Sequence, residues 1–368
     1  MMAMTNSDGF LKSVCEVVAG FPVRALQLYA PREETIDLFE RFIEQTVAPL
    51  GITHVTISLY YKFAYKSHPE IVEYPCTTVE IAKRAAAVCH KHGITVVPEL
   101  DFPGHQSTIL HPDVPIKALG MLRVHPDMME PYTEGNSNYS VCTKHPLLRP
   151  IAYDMIDDLM EAFDTKVVHV GFDEVLDIGR CPRCKDVPPY QLLADLANDL
   201  AAHVKSRGGE MWMWGDRLLD GTRFPTANAG YETSLNNTAR AVDLIDPDVV
   251  ICDWHYNPEP MGHLTPSYWA TKPFRFLSSA FNSVLGCEQL VRATHVVSDV
   301  PNAYGIYLTT WANLADFIRL VEEKIPEYQK TGIIHHNENE VTSESTSSHK
   351  FADQSSNVFL KLFVPEKV

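Results

Sequence analysis

Two adjacent carboxylates follow a short apolar segment near the middle of the chain. Residues Val168–Phe172 are mostly apolar and β-branched, with a histidine at His169, and Asp173 and Glu174 come directly after them. Burying an ionised carboxylate is costly unless it has a partner. A strand that ends in two acids therefore indicates that they face a pocket. The alternative for an isolated Asp-Glu pair is an ion-paired helix N-terminus.

A second segment of the same kind lies earlier in the chain. Residues Ile94–Leu100 form a predicted strand that contains Glu99, and Asp101 and His105 follow it. The carboxyl ends of parallel strands meet at one mouth of a barrel, where enzymes of this architecture build their sites. Acids and histidines delivered by two such strands predict an enzyme site with acid–base chemistry.

Short β-rich segments alternate with helix-like segments along most of the chain. The predicted strands are Val23–Tyr29, His54–Tyr60, Ile94–Leu100, Val167–Phe172, Glu210–Gly215, Val249–Trp254, Arg275–Phe281 and Gly305–Trp311. The predicted helices are Glu33–Val47, Thr78–His92, Leu147–Phe163, Tyr190–Arg207, Asn237–Ile245, Cys287–Val297 and Asn313–Glu327. This alternation predicts an α/β fold, a (β/α)8 TIM barrel, because a doubly wound sheet usually stops at about five to seven strands.

The same pattern predicts one catalytic domain over residues 21–330, preceded by an extension over 1–20. A long insertion, Phe102–Lys144, follows the third strand at the face where barrels carry their specificity loops. Residues 331–368 are predicted to form a polar, flexible segment and a docking element. The apolar run within it, Val358–Val364, fits either a closing strand or a helix packed on the barrel.

The formal net charge of −16 argues against nucleic acid and anionic membranes as partners. No apolar run approaches the length of a membrane span, and the first residues lack the pattern of a secretory signal. These features predict a cytoplasmic protein. The oligomeric state is left open by the sequence.

One close cysteine pair, Cys181-Pro-Arg-Cys184, lies in the loop after the two acids. A single CxxC pair is a weak metal signal. Two interpretations follow: a zinc site completed by another cysteine or a histidine, or reduced and inert thiols. The sequence alone favours inert thiols.

The segments that carry these acids resemble the signature motifs of the family 20 glycoside hydrolases, the β-N-acetylhexosaminidases. The segment His169–Glu174 resembles that family's His-x-Gly-Gly-Asp-Glu motif, and Val97–His105 is similar to its Ile-Pro-Glu-Ile-Asp-Met-Pro-Gly-His strand. Further similarities lie at predicted strands one, five, six and eight: Val23–Leu28, Trp214-Gly215-Asp216, Trp254 and Thr310-Trp311. The chain is most similar to the short, intracellular-type members that lack an N-terminal accessory domain.

The resemblance implies a retaining, substrate-assisted mechanism that differs from the two-carboxylate scheme of most glycosidases. The acetamido oxygen of the sugar attacks its own anomeric carbon. Asp173 is expected to hold and polarise the acetamido N–H group, and Glu174 to protonate the leaving oxygen and then deprotonate water. These roles require a raised pKa for Glu174 and an ionised Asp173.

The remaining site residues follow from the same resemblance. Arg24 is expected to bind sugar hydroxyls, with an ion pair at the bottom of the barrel as the alternative. Asp101 and His105 are expected to support the acid by hydrogen bonds. His169 fits either the site or the core. The predicted pocket walls are Trp214, Trp254 and Trp311, with Tyr256 donating its hydroxyl to the acetamido carbonyl.

Three positions depart from the family's pattern. Tyr29 stands in place of an aspartate in the first strand, Asn313 in place of a glutamate after the eighth, and the segment Ser279–Asn282 lacks a Tyr-x-Asp motif. In the family these acids bind the outer hydroxyls of the sugar. The departures therefore leave the specificity for the nonreducing end open.

The sequence predicts an exo-β-N-acetylhexosaminidase that uses no cofactor and no metal and acts on oligosaccharides or small conjugates with a terminal N-acetylhexosamine. Two alternatives remain. The acids and histidines of the third and fourth strands also suit a divalent-metal-dependent isomerase or hydrolase. The missing acids are compatible with a carbohydrate-binding barrel that performs no catalysis.

Overall fold

The protein is described by a computed structural model at residues 12–107, 117–133, 138–224, 226, 228–334 and 347–366. Parallel strands pair in sequence order, and the eighth pairs with the first to close a barrel. The strands are β1 Val23–Tyr29, β2 His54–Ser58, β3 Thr95–Phe102, β4 Val167–Gly171, β5 Glu210–Trp214, β6 Val250–Trp254, β7 Phe276–Ala280 and β8 Ala303–Leu308. The predicted (β/α)8 fold is confirmed, and each predicted strand matches an observed one.

Helices connect the strands on the outside of the barrel. They are α1 Val14–Ala19, α2 Ile36–Phe42, α3 Val79–Lys91, α4 Gly120–Val124, α5 Leu148–Ala162, α6 Pro189–Ser206, α7 Thr265–Trp269, α8 Val284–Val296, α9 Leu314–Thr331 and α10 Ser347–Phe363. A π-helical turn, Ile43–Val47, continues α2. Within the described residues, no helix is both long enough and apolar enough to cross a membrane.

One predicted helix is largely absent. The segment Asn237–Ile245 contains only a 3-10 stretch, Ala239–Asp243. The side chain of Thr238 donates to the carbonyl of Arg217 at 2.8 Å and lies 2.7 Å from the hydroxyl of Ser234. These bonds fix the backbone to the neighbouring loop and compete with a regular helix.

The last apolar run, Val358–Val364, lies largely in a helix, which was one of its two predicted forms. In α10 the side chains of Val358, Phe359 and Leu362 are fully buried. The helix packs against α9 and α1. The polar segment predicted to be flexible, His335–Lys350, falls for the most part outside the described residues.

Side chains fill the interior of the barrel, as is usual for this fold. The strands are buried on both faces and therefore have nearly continuous apolar sequences. The interior cluster includes Val97, Trp212, Val250, Leu277 and Tyr307. This packed layer forms the floor beneath the strands' carboxyl ends.

Candidate active site

A cavity of about 610 Å³ opens at the carboxyl ends of the strands. Side chains at the end of every strand, two from the loop after β5 and two from α10 line it: Tyr29, Tyr60, His105, Asp173, Glu174, Trp214, Asn228, Tyr231, Trp254, Tyr256, Phe281, Trp311, Ser348 and Phe351. Both acids of the Asp-Glu pair therefore face one shared space. The volume lies within the usual range of ligand pockets.

Left-handed backbone conformations concentrate around this cavity. The φ angle is +47° at Tyr60, +52° at His105, +77° at Phe172, +47° at Glu174 and +45° at Trp311. Such angles are uncommon for residues with a Cβ atom and persist only where the surroundings impose them. The turn at Phe172 and Glu174 is what allows two sequence neighbours to face the same cavity, since an ideal strand would point them to opposite faces.

Gly171 makes room for a close approach between β3 and β4. Its φ is +80°, and a Cβ atom at this position would lie 2.1 Å from Oδ1 of Asp101. The register between the strands shifts between the Glu99–His169 pair and the Phe102–Gly171 pair, so β3 carries one extra residue there. This bulge and the glycine together bring Asp101 against the turn that carries the acid pair.

His105 connects the acids of the two strands. Its Nε2 atom lies 2.9 Å from Oδ2 of Asp173, 3.6 Å from Oε2 of Glu174 and 4.0 Å from Oδ2 of Asp101. Burial opposes the charge on the imidazole, but the surrounding carboxylates outweigh it and raise the pKa of His105 well above its ordinary value. His105 is therefore a cation at neutral pH.

The pKa values of the two aspartates in this cluster shift in opposite directions. Burial alone would raise the pKa of Asp173, but the charge and hydrogen bond of His105 dominate and lower it. Burial and the charge of Asp173 raise the pKa of Asp101 well above its ordinary value. Asp173 therefore ionises more readily than Asp101. The carboxyl groups of Asp101 and Asp173 also share a side-chain hydrogen bond.

Glu174 lies in a different environment from its neighbour. Its backbone N–H donates to Oδ2 of Asp216 at 2.9 Å, and Nδ2 of Asn138 lies 3.3 Å from its Oε2. Burial raises the pKa of Glu174 to about 7. The charge of His105 lowers this pKa by a smaller amount, and the charge of Asp173 raises it. Glu174 can therefore both donate and accept a proton near neutral pH.

A buried polar layer lies beneath the site. Burial raises the pKa of Glu99 to about 8, and Ser58 donates a hydrogen bond to it. Burial lowers the pKa of His169 to about 3, so its imidazole is neutral. Its ring centroid lies 4.6 Å from that of Trp214. His169 does not line the cavity. Of its two predicted positions, the structure places it in the core.

Aromatic side chains form the walls. Trp214 stacks on Tyr307 at 5.5 Å between ring centroids and contacts Trp311 at 6.2 Å. Nε1 of Trp311 donates to the hydroxyl of Tyr256 at 3.0 Å. Nε1 of Trp254 donates to Asp216 at 3.2 Å. The three predicted tryptophans and Tyr256 therefore all lie at the cavity. Hydrogen bonds fix the rings of Trp254, Trp311 and Tyr256, and stacking holds that of Trp214.

Arg24 does not reach the cavity, and the prediction that it binds sugar hydroxyls is wrong. The residue lies near the start of β1, and its guanidinium donates to the carbonyls of Gly51 at 2.6 Å and Phe21 at 2.7 Å. It thus caps loop carbonyls at the opposite end of the barrel. The alternative prediction, an ion pair at the bottom of the barrel, gave the correct end of the barrel. The partners of Arg24 there are backbone carbonyls and not a carboxylate.

Several residues at or next to the site were not predicted as site residues from the sequence. Asn138 comes from the insertion after β3, and Phe351 from α10, far away in the chain. Tyr29 and Tyr60 look like ordinary strand aromatics. Asp216 was available from the Trp-Gly-Asp motif, since an acid directly after a strand is the same signal that marked Asp173.

Asp101, His105 and Asp173 also have the spacing of a cation site, with one ligand atom from each within 4.8 Å of the others. The positive charge of His105 occupies the same position between the carboxylates. A divalent cation would require His105 to give up its proton. The donor set is therefore explained by an internal ion pair without a metal.

The fold and the site define a class: a (β/α)8 barrel with an acid pair and a supporting histidine at the carboxyl ends of β3 and β4. The family model for the catalytic domain of glycosyl hydrolase family 20 matches residues 66–257, more than half of the chain. The chain belongs to glycosyl hydrolase family 20.

A curated relative, the β-hexosaminidase of Akkermansia muciniphila, is 30% identical over 127 residues, which cover 34% of this chain and 25% of the relative. The chain thus matches about a quarter of that protein's length. The similarity does not extend to the relative as a whole.

Solved structures share the fold. The chitobiase of Flavobacterium johnsoniae has a TM-score of 0.58 at 15% identity, covering 92% of this chain and 48% of that chain. An exo-β-N-acetylglucosaminidase of Vibrio harveyi, solved with N-acetylglucosamine, has a TM-score of 0.57 at 15% identity, covering 92% and 54%. At this level of identity the likeness establishes the fold alone.

Proposed function

We propose that the protein is a retaining exo-β-N-acetylhexosaminidase that cleaves terminal β-linked N-acetylhexosamine by substrate-assisted catalysis. One observation carries the proposal. Asp173 and Glu174 line the same cavity, where His105 at 2.9 Å holds Asp173 ionised and burial raises the pKa of Glu174 to about 7. An ionised carboxylate beside a carboxyl group that can give up a proton suits the two tasks of this reaction: accepting an acetamido N–H group and protonating the leaving oxygen.

In the first step the carbonyl oxygen of the acetamido group attacks the anomeric carbon. The bond from that carbon to the leaving oxygen breaks, and the leaving oxygen takes the proton of Glu174. The acetamido nitrogen becomes positively charged in the resulting oxazolinium ion. Asp173 accepts its N–H and stabilises the developing charge. Tyr256 donates its hydroxyl to the acetamido carbonyl and orients it for attack.

In the second step water opens the oxazolinium ion at the anomeric carbon. Glu174, now ionised, takes a proton from that water and returns to its starting state. The configuration of the sugar is retained because the anomeric carbon is attacked twice. A pKa near 7 for Glu174 suits both halves of this cycle.

The aromatic walls fit the apolar faces of a sugar ring and an acetamido methyl group. Trp214, Trp254 and Trp311 surround the space above the acids, and Phe281 and Phe351 lie further along the wall. These two phenylalanines contact each other at 5.2 Å between ring centroids. They occupy the part of the wall where the family's acids for the outer hydroxyls are replaced in this chain.

The test compares an aryl N-acetyl-β-glucosaminide with the aryl β-glucoside that lacks the acetamido group. We expect rapid hydrolysis of the first and very slow hydrolysis of the second. Asp173→Asn should lower kcat on the first substrate by about 10²–10⁴. Asp299→Asn, which changes an exposed acid far from the site, is the matched control and should leave the rate unchanged.

Three outcomes would contradict the proposal. Equal rates on the two glycosides would exclude assistance by the acetamido group. A rate that rises with added Mg²⁺ or Mn²⁺ would favour a metal-dependent reaction at Asp101, His105 and Asp173. Calorimetric binding of N-acetylhexosamine without any turnover would indicate a carbohydrate-binding barrel.

A further inference from the structure

Three cysteine sulfurs meet beside the candidate active site. Cys142 comes from the insertion after β3, and Cys181 and Cys184 come from the loop after β4. The sulfur of Cys142 lies 3.3 Å from that of Cys181 and 3.4 Å from that of Cys184. All three side chains are buried. Thiols of three different residues rarely share one buried point unless they bind a common ligand.

A carboxylate completes this cluster. Glu130 is 1% exposed, and one of its oxygens lies within 4.8 Å of all three sulfurs. Oε2 of Glu130 accepts the backbone N–H groups of Arg180 at 2.9 Å and Cys181 at 2.7 Å. Oε1 is buried and has no hydrogen-bond partner within the described ranges. Leaving a buried carboxylate oxygen unpaired is costly, and a cation would satisfy it.

Backbone hydrogen bonds order both segments that contribute to the cluster, the CxxC loop and the insertion after β3. The N–H groups of Cys184 and Lys185 both donate to the carbonyl of Cys181 at 3.0 Å, which folds the CxxC segment into a tight turn. On the other side, an isolated bridge pairs Met129 with Val141. The bridge is antiparallel, so Glu130 lies opposite Ser140 and Cys142 opposite Met128. Glu130 and Cys142 are therefore diagonal neighbours, with ligand atoms within 4.8 Å of each other.

The sulfurs also receive backbone hydrogen bonds. Lys144 bonds to the sulfur of Cys142, and Arg183 to the sulfur of Cys181. Hydrogen bonds of this kind from the outer shell orient metal ligands and stabilise thiolates. The nearby His145 is already engaged, since its Nε2 lies 2.9 Å from a carboxylate oxygen of Asp127. Glu130 is therefore the fourth ligand that the geometry offers.

We infer that Cys142, Cys181, Cys184 and Glu130 bind one Zn²⁺ ion in tetrahedral coordination. Soft thiolates with one carboxylate select zinc over the harder divalent cations. Sulfurs bound to one zinc at ~2.3 Å lie ~3.8 Å apart. The sulfur of Cys142, now 3.3 Å from that of Cys181 and 3.4 Å from that of Cys184, would move away from each by roughly half an ångström to reach that spacing. A disulfide needs an S–S distance of about 2.0 Å and would leave the third sulfur unpaired.

The site has a structural role in this fold. It joins the insertion that carries Asn138 to the loop that carries Asp173 and Glu174, and Asn138 bonds to both His105 and Glu174. Zinc would therefore hold two walls of the cavity together. The inference does not depend on the reaction proposed above, because its test measures metal content and stability.

The experiment uses the full chain, purified under reducing conditions with Zn²⁺ supplied and excess metal removed. Elemental analysis should find about one zinc per chain. Cobalt in place of zinc should give thiolate-to-metal charge-transfer absorption in the near ultraviolet. Removing the metal with a chelator should lower the Tm, and adding zinc should restore it.

Two variants and a control test the ligand set. Cys184→Ser should weaken zinc binding about a hundredfold, and Glu130→Gln about tenfold. Cys287→Ser changes a cysteine that is equally buried in α8 but far from the cluster, and should keep one zinc. Because the cobalt spectrum is taken on the unaltered chain, a variant that fails to fold does not prevent a decision.

The inference would be overturned by metal-free protein after zinc is supplied, or by a cobalt spectrum without thiolate bands. It would also fail if mass analysis after alkylation showed a disulfide between Cys142 and Cys181 or Cys184. Loss of hydrolysis with normal zinc content would instead contradict the proposed function alone. The two results are therefore distinguishable.

Discussion

His105 Nε2 lies 2.9 Å from Oδ2 of Asp173, and this ion pair joins the end of β3 to the end of β4. The pair keeps Asp173 anionic in a buried site where a lone carboxylate would be protonated. Glu174, only 3.6 Å from the same imidazole nitrogen, keeps a pKa of about 7 because its burial dominates. Two neighbouring acids thereby obtain different protonation states.

The role of Glu174 as proton donor predicts a dependence on the leaving group. Glu174→Gln should lower kcat/KM by about 10²–10⁴ for alkyl glycosides, whose leaving oxygen needs a proton. Aryl glycosides with acidic phenols should lose much less. The measurement is kcat/KM against leaving-group pKa for both proteins. A uniform loss across the series would assign Glu174 to another role.

The pKa of Glu174 predicts the basic limb of the pH profile. The protonated form is the active acid, so kcat/KM should fall as the pH rises through about 7. The pKa of Asp173 is lowered by His105, so the acidic limb should lie below the ordinary range of an aspartate carboxyl. In Glu174→Gln the limb near 7 should disappear from the residual activity. Its persistence would assign that titration to another group.

The position of Arg24 predicts a change in stability without a change in specificity. Arg24→Ala removes charge-assisted hydrogen bonds to two backbone carbonyls at the far end of the barrel. It should lower the free energy of unfolding by about 1–3 kcal/mol and leave KM unchanged. Arg319→Ala removes an exposed arginine on α9 and should cost less than about 0.5 kcal/mol. A raised KM for Arg24→Ala would instead indicate that Arg24 takes part in substrate binding.

Alanine substitutions at two glycines distinguish the free-energy cost of a left-handed backbone conformation from the cost of a steric clash. Gly171 and Gly93 have similar φ angles, +80° and +69°. A Cβ atom added at Gly171 would lie 2.1 Å from Asp101, whereas one added at Gly93 would have no atom within 4 Å. Gly93→Ala should cost about 1–2 kcal/mol and keep normal kcat. Gly171→Ala should cost at least about 2 kcal/mol more, since β3 must move, and lower kcat with it.

Denaturant unfolding with kinetics on the folded fraction measures both effects. Equal losses of stability and activity in the two glycine variants would show that the close approach of Asp101 is not required. The comparison is matched because both residues adopt the left-handed conformation and differ in what surrounds them.

The sequence by itself determined the order of strands and helices, the barrel and the acids after β3 and β4. These features follow from local periodicity and from the cost of burying carboxylates, and both can be judged from residues that are close in sequence. For this reason the predicted bounds of β1 match the observed ones, and those of α3 differ by one residue at each end. The family motifs added the roles expected of Asp173 and Glu174.

Only the tertiary structure decided which side chains meet. The predicted bounds of β1 already put Arg24 at the start of the strand, away from the site, but its hydrogen bonds to the carbonyls of Phe21 and Gly51 appear only in the structure. Asn138 bonds to His105 and Glu174 from a segment without periodicity, and Phe351 lines the cavity from the far end of the chain. The same holds for Cys142, which is separated from Cys181 and Cys184 by a helix and a strand. Contacts between distant segments depend on how the whole barrel packs, and a single sequence read locally does not contain that information.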